Sequence, residues 1–192
     1  MSKPLEEVLA SCQGCEKCSL AATRTNLVFG VGNPHAKIMF IGEGPGKNED
    51  LQGEPFVGAA GKLLNEMLER VKLSRDDIYI ANILKCRPPK NRDPRPDEIE
   101  ACTPWLREQI KAVHPIVLVT LGNFATKFIL QTETGITKLR GQVHVTGPFR
   151  VIPMFHPAAA IYDRSKVTAL EQDFDLLRLL LDTDAERERQ KS

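Results

Sequence analysis

Residues 37–61 read KIMFIGEGPGKNEDLQGEPFVGAAG, and the fold follows from how this stretch divides. Ile38–Met39–Phe40–Ile41 is a short apolar run, rich enough in β-branched residues to form a buried strand. It stops abruptly at Gly42–Glu43–Gly44–Pro45–Gly46, and six of the thirteen glycines lie between Gly42 and Gly61. Such a loop turns sharply and lets a partner approach its backbone. In an open α/β sheet, ligands sit at the carboxyl ends of strands, which is where this loop falls. It lacks the Gly-Lys-Ser/Thr ending of a phosphate-binding loop and the G-x-G-x-x-G spacing of a dinucleotide site.

Working outward, strands alternate with helical patterns. Gly61–Leu73 carries Leu63, Leu64, Met67, Leu68 and Val71 on one helical face. Asp77–Asn82 reads as a second strand, and the continuous apolar run Pro115–Leu121 as a central strand covered on both faces. Lys138–Thr146 and Phe149–Met154 read as two more, the latter delivering Phe155–His156–Pro157 to its carboxyl end. Helices are expected at Pro4–Leu9, from Pro96 onward, at Gly122–Leu130 and at Val167–Leu181. This order predicts an α/β fold: a three-layer α/β/α sandwich around a mainly parallel sheet, in one domain spanning residues 1–192. The charged tail, 182–192, is expected to fray.

Composition excludes several classes. No apolar run approaches the ~18 residues needed to span a bilayer, so no membrane role is expected. The start, MSKPLEEVLASC, has no signal-peptide apolar stretch, which predicts an intracellular, cytoplasmic protein. A formal charge of +1 gives no global attraction to nucleic acid, so such a partner must be met by a local patch.

Five cysteines in a reducing compartment suggest ligands, a nucleophile or packing residues rather than disulfides. Cys15-x2-Cys18, with Cys86 and Cys102 downstream, supplies four thiolates, a set suited to zinc or to an iron–sulfur centre. Cys12–Cys15 has the same spacing and offers an alternative pair. Lys85–Arg95 concentrates Lys85, Arg87, Lys90, Arg92 and Arg95 against the single acid Asp93. A solvated loop is the simple reading; a phosphate-contacting patch, extended by Lys138 and Arg140, is the functional one. His156, alone, reads as a satisfied structural histidine. Yet it shares one sheet edge with the glycine loop and Asn82.

Taken together, Gly42-Glu43-Gly44-Pro45-Gly46, Pro55-Phe56-Val57-Gly58, Asn82-Ile83-Leu84-Lys85-Cys86-Arg87-Pro88-Pro89, Cys15-x2-Cys18 and Phe155-His156-Pro157-Ala158 resemble the family 4 uracil-DNA glycosylases. These are the iron–sulfur members of the uracil-DNA glycosylase superfamily, found in bacteria and archaea. The resemblance runs from about Cys15 to the C-terminal helix. It implies a four-stranded sheet and a [4Fe-4S] cluster held by Cys15, Cys18, Cys86 and Cys102, with Cys12 an extra. It also implies a monofunctional enzyme that releases uracil from DNA and leaves an abasic site, expected neither to cleave the strand nor to trap its product.

Carried over by position, the resemblance assigns uracil binding to Gly42, Glu43, Gly44, Phe56, Asn82 and His156. His156 and loop amides would stabilise the departing uracil anion, and Glu43 would orient water. Glu49 is a candidate for excluding thymine. Lys85, Arg87, Lys90, Arg92 and Arg140 are candidate DNA contacts, and Ile161, Tyr162 and Arg164, on an expected loop over Ala158–Arg164, are candidate wedges. Uracil-containing DNA, single- or double-stranded, is the implied partner of a monomer, with a sliding clamp as a further one. A non-catalytic nucleic-acid-binding or polymerase-accessory module of the same fold is the competing class.

Overall fold

The computed structural model describes residues 3–189. In chain order its elements are α1 (Leu5–Gln13), β1 (Val31–Gly32), β2 (Ile38–Gly42), α2 (Lys47–Gln52), α3 (Ala59–Arg70), β3 (Ile78–Asn82), α4 (Pro96–Val113), β4 (Val117–Leu121), α5 (Asn123–Leu130), α6 (Ile136–Leu139), β5 (His144–Thr146), β6 (Phe149–Met154), α7 (Pro157–Tyr162) and α8 (Ser165–Arg189). The strands form one sheet in the order β1-β3-β2-β4-β6-β5. Its four central strands are parallel, and the short edge strands β1 and β5 run antiparallel. The expected four-stranded parallel sheet is therefore the middle of a wider one.

Every residue of β2, β3 and β4 is buried, because helices cover both faces. Alternation divides their side chains between two cores. Ile38 and Phe40 of β2, Ile80 of β3 and Val119 of β4 pack with Leu64 and Leu68 of α3 and Phe174 and Leu177 of α8. Met39, Ile41, Tyr79 and Leu118 point the other way, toward Leu106 and Ile110 of α4 and Ala125 of α5. This is the three-layer arrangement that the alternation of strand and helix patterns predicts.

Three expectations are corrected. The strand expected over Lys138–Thr146 begins only at His144. Ile136–Leu139 forms a helical turn instead, started where the Asn123 side chain accepts the Ile136 amide at 2.8 Å. The segment Ala158–Arg164, expected as a loop, is helical through Tyr162. Pro157 sits at its first position, and Nδ1 of His156 caps it by accepting the Ala158 amide at 3.1 Å. Finally, α8 runs on through Arg189, past the point where fraying was expected. Arg150 of β6 grips Asp184 through two hydrogen bonds, at 2.6 and 2.5 Å, and this ties the extension to the sheet. Residues 190–192 lie outside the described residues. No described helix is long and apolar enough to cross a membrane.

Candidate active site

The parallel register sets Gly42, at the end of β2, beside Asn82, at the end of β3. The ladder continues past both strands, with the Ile83 and Leu84 amides donating to the Gly42 and Glu43 carbonyls at 2.9 and 3.0 Å. Asn82 is thus held rigidly at the carboxyl edge, and its carboxamide occupies the space that a side chain on residue 42 would take. A Cβ on Gly42 would lie 2.3 Å from Asn82 Oδ1 and 2.9 Å from the Phe56 ring. Glycine is required here by contact, not by backbone angle.

A cleft of about 430 Å³ opens at this edge. Its walls include Glu43, Gly44, Glu49, Phe56, Asn82 and His156. The structure therefore brings together at one cavity side chains that lie up to 113 residues apart, between Glu43 and His156. The Phe56 and His156 rings stack with centroids 5.5 Å apart and planes 25° from parallel.

His156 lines the cleft, but protein surrounds it otherwise. Burial pushes its pKa down to about 4, against a weaker opposing pull from Glu49. The imidazole is neutral at physiological pH. Because Nδ1 accepts the Ala158 amide, the proton resides on Nε2. Glu43 moves the opposite way. Burial, helped by the charge of Asp93, raises its carboxyl to about 7. Glu49 serves the architecture of the site. Its Oε1 accepts the amides of Val57 and Gly58, each at 3.0 Å, fastening the loop behind Phe56 to α2.

A second, smaller cavity is lined by Cys12, Cys15, Cys18, Cys86 and Cys102. Three of these sulfurs are met by donors: Cys102 by the Lys85 amide at 3.2 Å, Cys15 by the Trp105 indole at 3.4 Å and Cys86 by the Arg24 guanidinium at 3.5 Å. N–H groups aimed at sulfur suit ligands that carry negative charge. Cys12 differs. It is fully buried on α1 among Val8 and Phe29, and burial pushes its thiol up to about 12. Among the described residues no three His, Cys, Asp or Glu side chains converge to hold a single ion.

The basic residues divide. Lys85 is corrected outright: it is 1% exposed, and its ammonium donates to the Asn82 carbonyl at 2.7 Å and Gln109 Oε1 at 2.5 Å. Burial pushes its pKa down to about 8. It faces the protein interior, so it meets no phosphate. Arg140 is partly exposed and forks onto Asp173 at 2.8 and 3.0 Å, donates to the Ala169 carbonyl and lies over the Phe155 ring. Arg92 reaches the rim of the cleft but is paired with the buried Glu98. Arg87 donates to Asn91, while Lys90, Ile161, Tyr162 and Arg164 are exposed.

Sequence reasoning missed Glu98, Gln109 and Arg75. Glu98 pins the basic loop by accepting from Arg92 and from the Arg95 amide at 2.9 Å. Its position three residues after the cap was a readable capping-box signal. No local signal marked Gln109 or Arg75.

Residues 29–179 match the family model described as the uracil DNA glycosylase superfamily. The chain is 47% identical over 178 residues to the type-4 uracil-DNA glycosylase of Archaeoglobus fulgidus, a match covering 88% of this chain and 89% of that protein. It is 47% identical over 185 residues to the type-4 uracil-DNA glycosylase of Sulfurisphaera tokodaii, covering 92% and 84% respectively. A third, from Thermotoga maritima, is 45% identical over 163 residues, covering 84% and 85%. With likeness extending over nearly the whole chain and a cleft lined by the expected residues, this protein belongs to the uracil DNA glycosylase superfamily, in its type-4 branch.

Proposed function

We propose that the chain hydrolyses the N-glycosidic bond of deoxyuridine in DNA, releasing uracil and leaving an abasic site. The observation that carries this reading is the convergence of Glu43, Phe56, Asn82 and His156 on one cleft at the carboxyl ends of parallel strands. The substrate base must leave the stack to reach it. Phe56 supplies an aromatic face, and the Asn82 carboxamide offers the donor–acceptor pair that matches O4 and N3–H of uracil.

Bond cleavage leaves negative charge on the uracil ring. A neutral His156 with its proton on Nε2 is a suitable donor to the developing O2 anion, since the Ala158 amide already occupies Nδ1. Stabilising the leaving group in this way lowers the barrier without a proton having to move first. Glu43, titrating near 7, is suited to accepting a proton from the attacking water in its ionised form. Gly44 carries no side chain to share in this. Glu49 both lines the cleft, where it is placed to exclude thymine's methyl group, and holds the Phe56 loop through the Val57 and Gly58 amides.

Cys15, Cys18, Cys86 and Cys102 would hold a [4Fe-4S] cluster, which when bound fastens the N-terminal segment to the start of the basic loop and to α4. The all-sulfur donor set and the N–H groups facing three of the sulfurs support this assignment. Arg87 and Lys90, with Arg92 at the rim, would meet phosphates, and Ile161, Tyr162 and Arg164 would fill the gap left by the everted base.

Incubating the protein with a uracil-containing oligonucleotide, then alkali, tests the reading. Strand breakage at the uracil position and release of free uracil are expected, and both should vanish in Asn82→Ala. An intact strand with no uracil released, but with DNA bound, would instead favour the accessory-module class.

A further inference from the structure

Phe56 has a backbone φ of 57°, a left-handed conformation that an aromatic residue adopts only when its surroundings impose it. Three contacts impose it. Arg75, on the short turn Arg75–Asp77 before β3, donates from Nη2 to the Phe56 carbonyl and from Nη1 to the Pro55 carbonyl at 3.2 Å. Its Nε donates to Asn65 Oδ1 of α3 at 2.8 Å. From the other side, Glu49 takes the next two amides, those of Val57 and Gly58. Gly61 makes room for the same carbonyl, because a Cβ there would lie 1.8 Å from the Phe56 oxygen.

All three acceptors of Arg75 are neutral oxygens, so the half-buried guanidinium is used for its shape as well as its charge. A planar fork reaches two successive carbonyls and a third acceptor at once, which an ammonium cannot do. We infer that Arg75 is a positioning residue for base recognition: it grips the Pro55 and Phe56 carbonyls and thereby turns the Phe56 ring into the cleft. Nothing in the chemistry of uracil release touches Arg75, and it lines no wall of the cleft. Its effect on the reaction passes through Phe56. The inference rests on the proposed role of Phe56 as the surface on which the base stacks.

A double-mutant cycle tests it, using full-length Phe56→Ala, Arg75→Met and the pair. Three quantities are read: single-turnover excision from a single-stranded uracil oligonucleotide, inhibition by free uracil, and the melting temperature. Arg75→Met is expected to slow excision by about 10- to 100-fold and to weaken inhibition by uracil. Arg75→Lys, keeping the charge but losing the fork, should fall between it and the wild type. In the Phe56→Ala background, Arg75→Met should cost less than about threefold more, because the ring it positions is already gone. Multiplying losses in the pair, or wild-type excision by Arg75→Met, would overturn the inference. Should Arg75→Met fail to fold, Arg75→Lys carries the same cycle. Wild-type excision and uracil inhibition in Phe56→Ala would instead overturn the stacking role itself, and the inference with it.

Discussion

Nζ of Lys85 lies 2.7 Å from the main-chain oxygen of Asn82, so a cation from the basic loop's first position braces the residue proposed to read the base. Gln109 completes the brace at 2.5 Å and is itself held by the Phe29 carbonyl at 2.8 Å. Replacing Lys85 by Met leaves both oxygens without their donor. A loss of about 1–3 kcal/mol in stability is expected, with slower excision. The slope of DNA affinity against salt should match wild type, whereas Lys90→Ala should lower it by about one counterion. A changed slope in Lys85→Met would place that ammonium on the DNA after all.

Glu43 links activity to pH. With its carboxyl raised to about 7, single-turnover excision should climb through that pH and level off above it, and Glu43→Gln should flatten the profile. Stability runs the other way. The folded state holds the Glu43 proton over the range between the ordinary value of 4.5 and about 7, so folding weakens as pH rises through that window. Glu43→Gln should therefore be more stable than wild type at pH 8 and no more stable at pH 4.5, as urea titrations at both values would reveal.

Gly42→Ala probes the packing of the cleft. Its methyl group would press on Asn82 Oδ1 at 2.3 Å and on the Phe56 ring at 2.9 Å, so one of these cleft side chains must shift. Excision should fall by about 100-fold from misplacement alone, read as a drop in the single-turnover plateau. Gly14→Ala, where nothing lies within 4 Å of the added carbon, serves as the control and should match wild type.

Iron analysis separates the cysteines. Protein purified without oxygen should be brown, with about four irons per chain. Alanine at Cys15, Cys18, Cys86 or Cys102 should abolish both colour and iron. Cys12→Ala should keep the iron and lose only a modest amount of stability, from the small cavity left beside Val8 and Phe29. Loss of iron in Cys12→Ala, with iron retained in Cys18→Ala, would reassign the N-terminal pair.

Tyr162 is 91% exposed at the end of α7, so its removal should shift stability by less than about 0.5 kcal/mol. A wedge acts only where a base has left a stack. Tyr162→Ala should therefore slow excision from duplex DNA more than from a single strand. Equal slowing on the two substrates would remove it from that role.

The strands β2, β3 and β4 were legible because each is dominated by a short apolar run, as strands covered on both faces are. The cleft residues were legible through their motifs and because strand ends of a parallel sheet share an edge. Edge elements were not. The strand expected from Lys138 starts only at His144, where Val143 and Val145 are exposed, and Ile136–Leu139 form a helical turn instead. The segment after His156 was expected as a loop from the resemblance, whereas its alanines favour the six-residue helix that forms, capped by the histidine itself.

By itself, the amino-acid sequence determined the layered sheet and the edge where the cleft opens, since apolar periodicity and glycine spacing act locally; the residues gathered there were expected from the resemblance. Tertiary structure alone decided where the long cations go. Lys85 turns inward to Gln109, Arg140 to Asp173 and Arg75 to the Phe56 carbonyl. A charged side chain leaves solvent only for specific acceptors, and those acceptors come from distant parts of the chain that folding alone brings within reach.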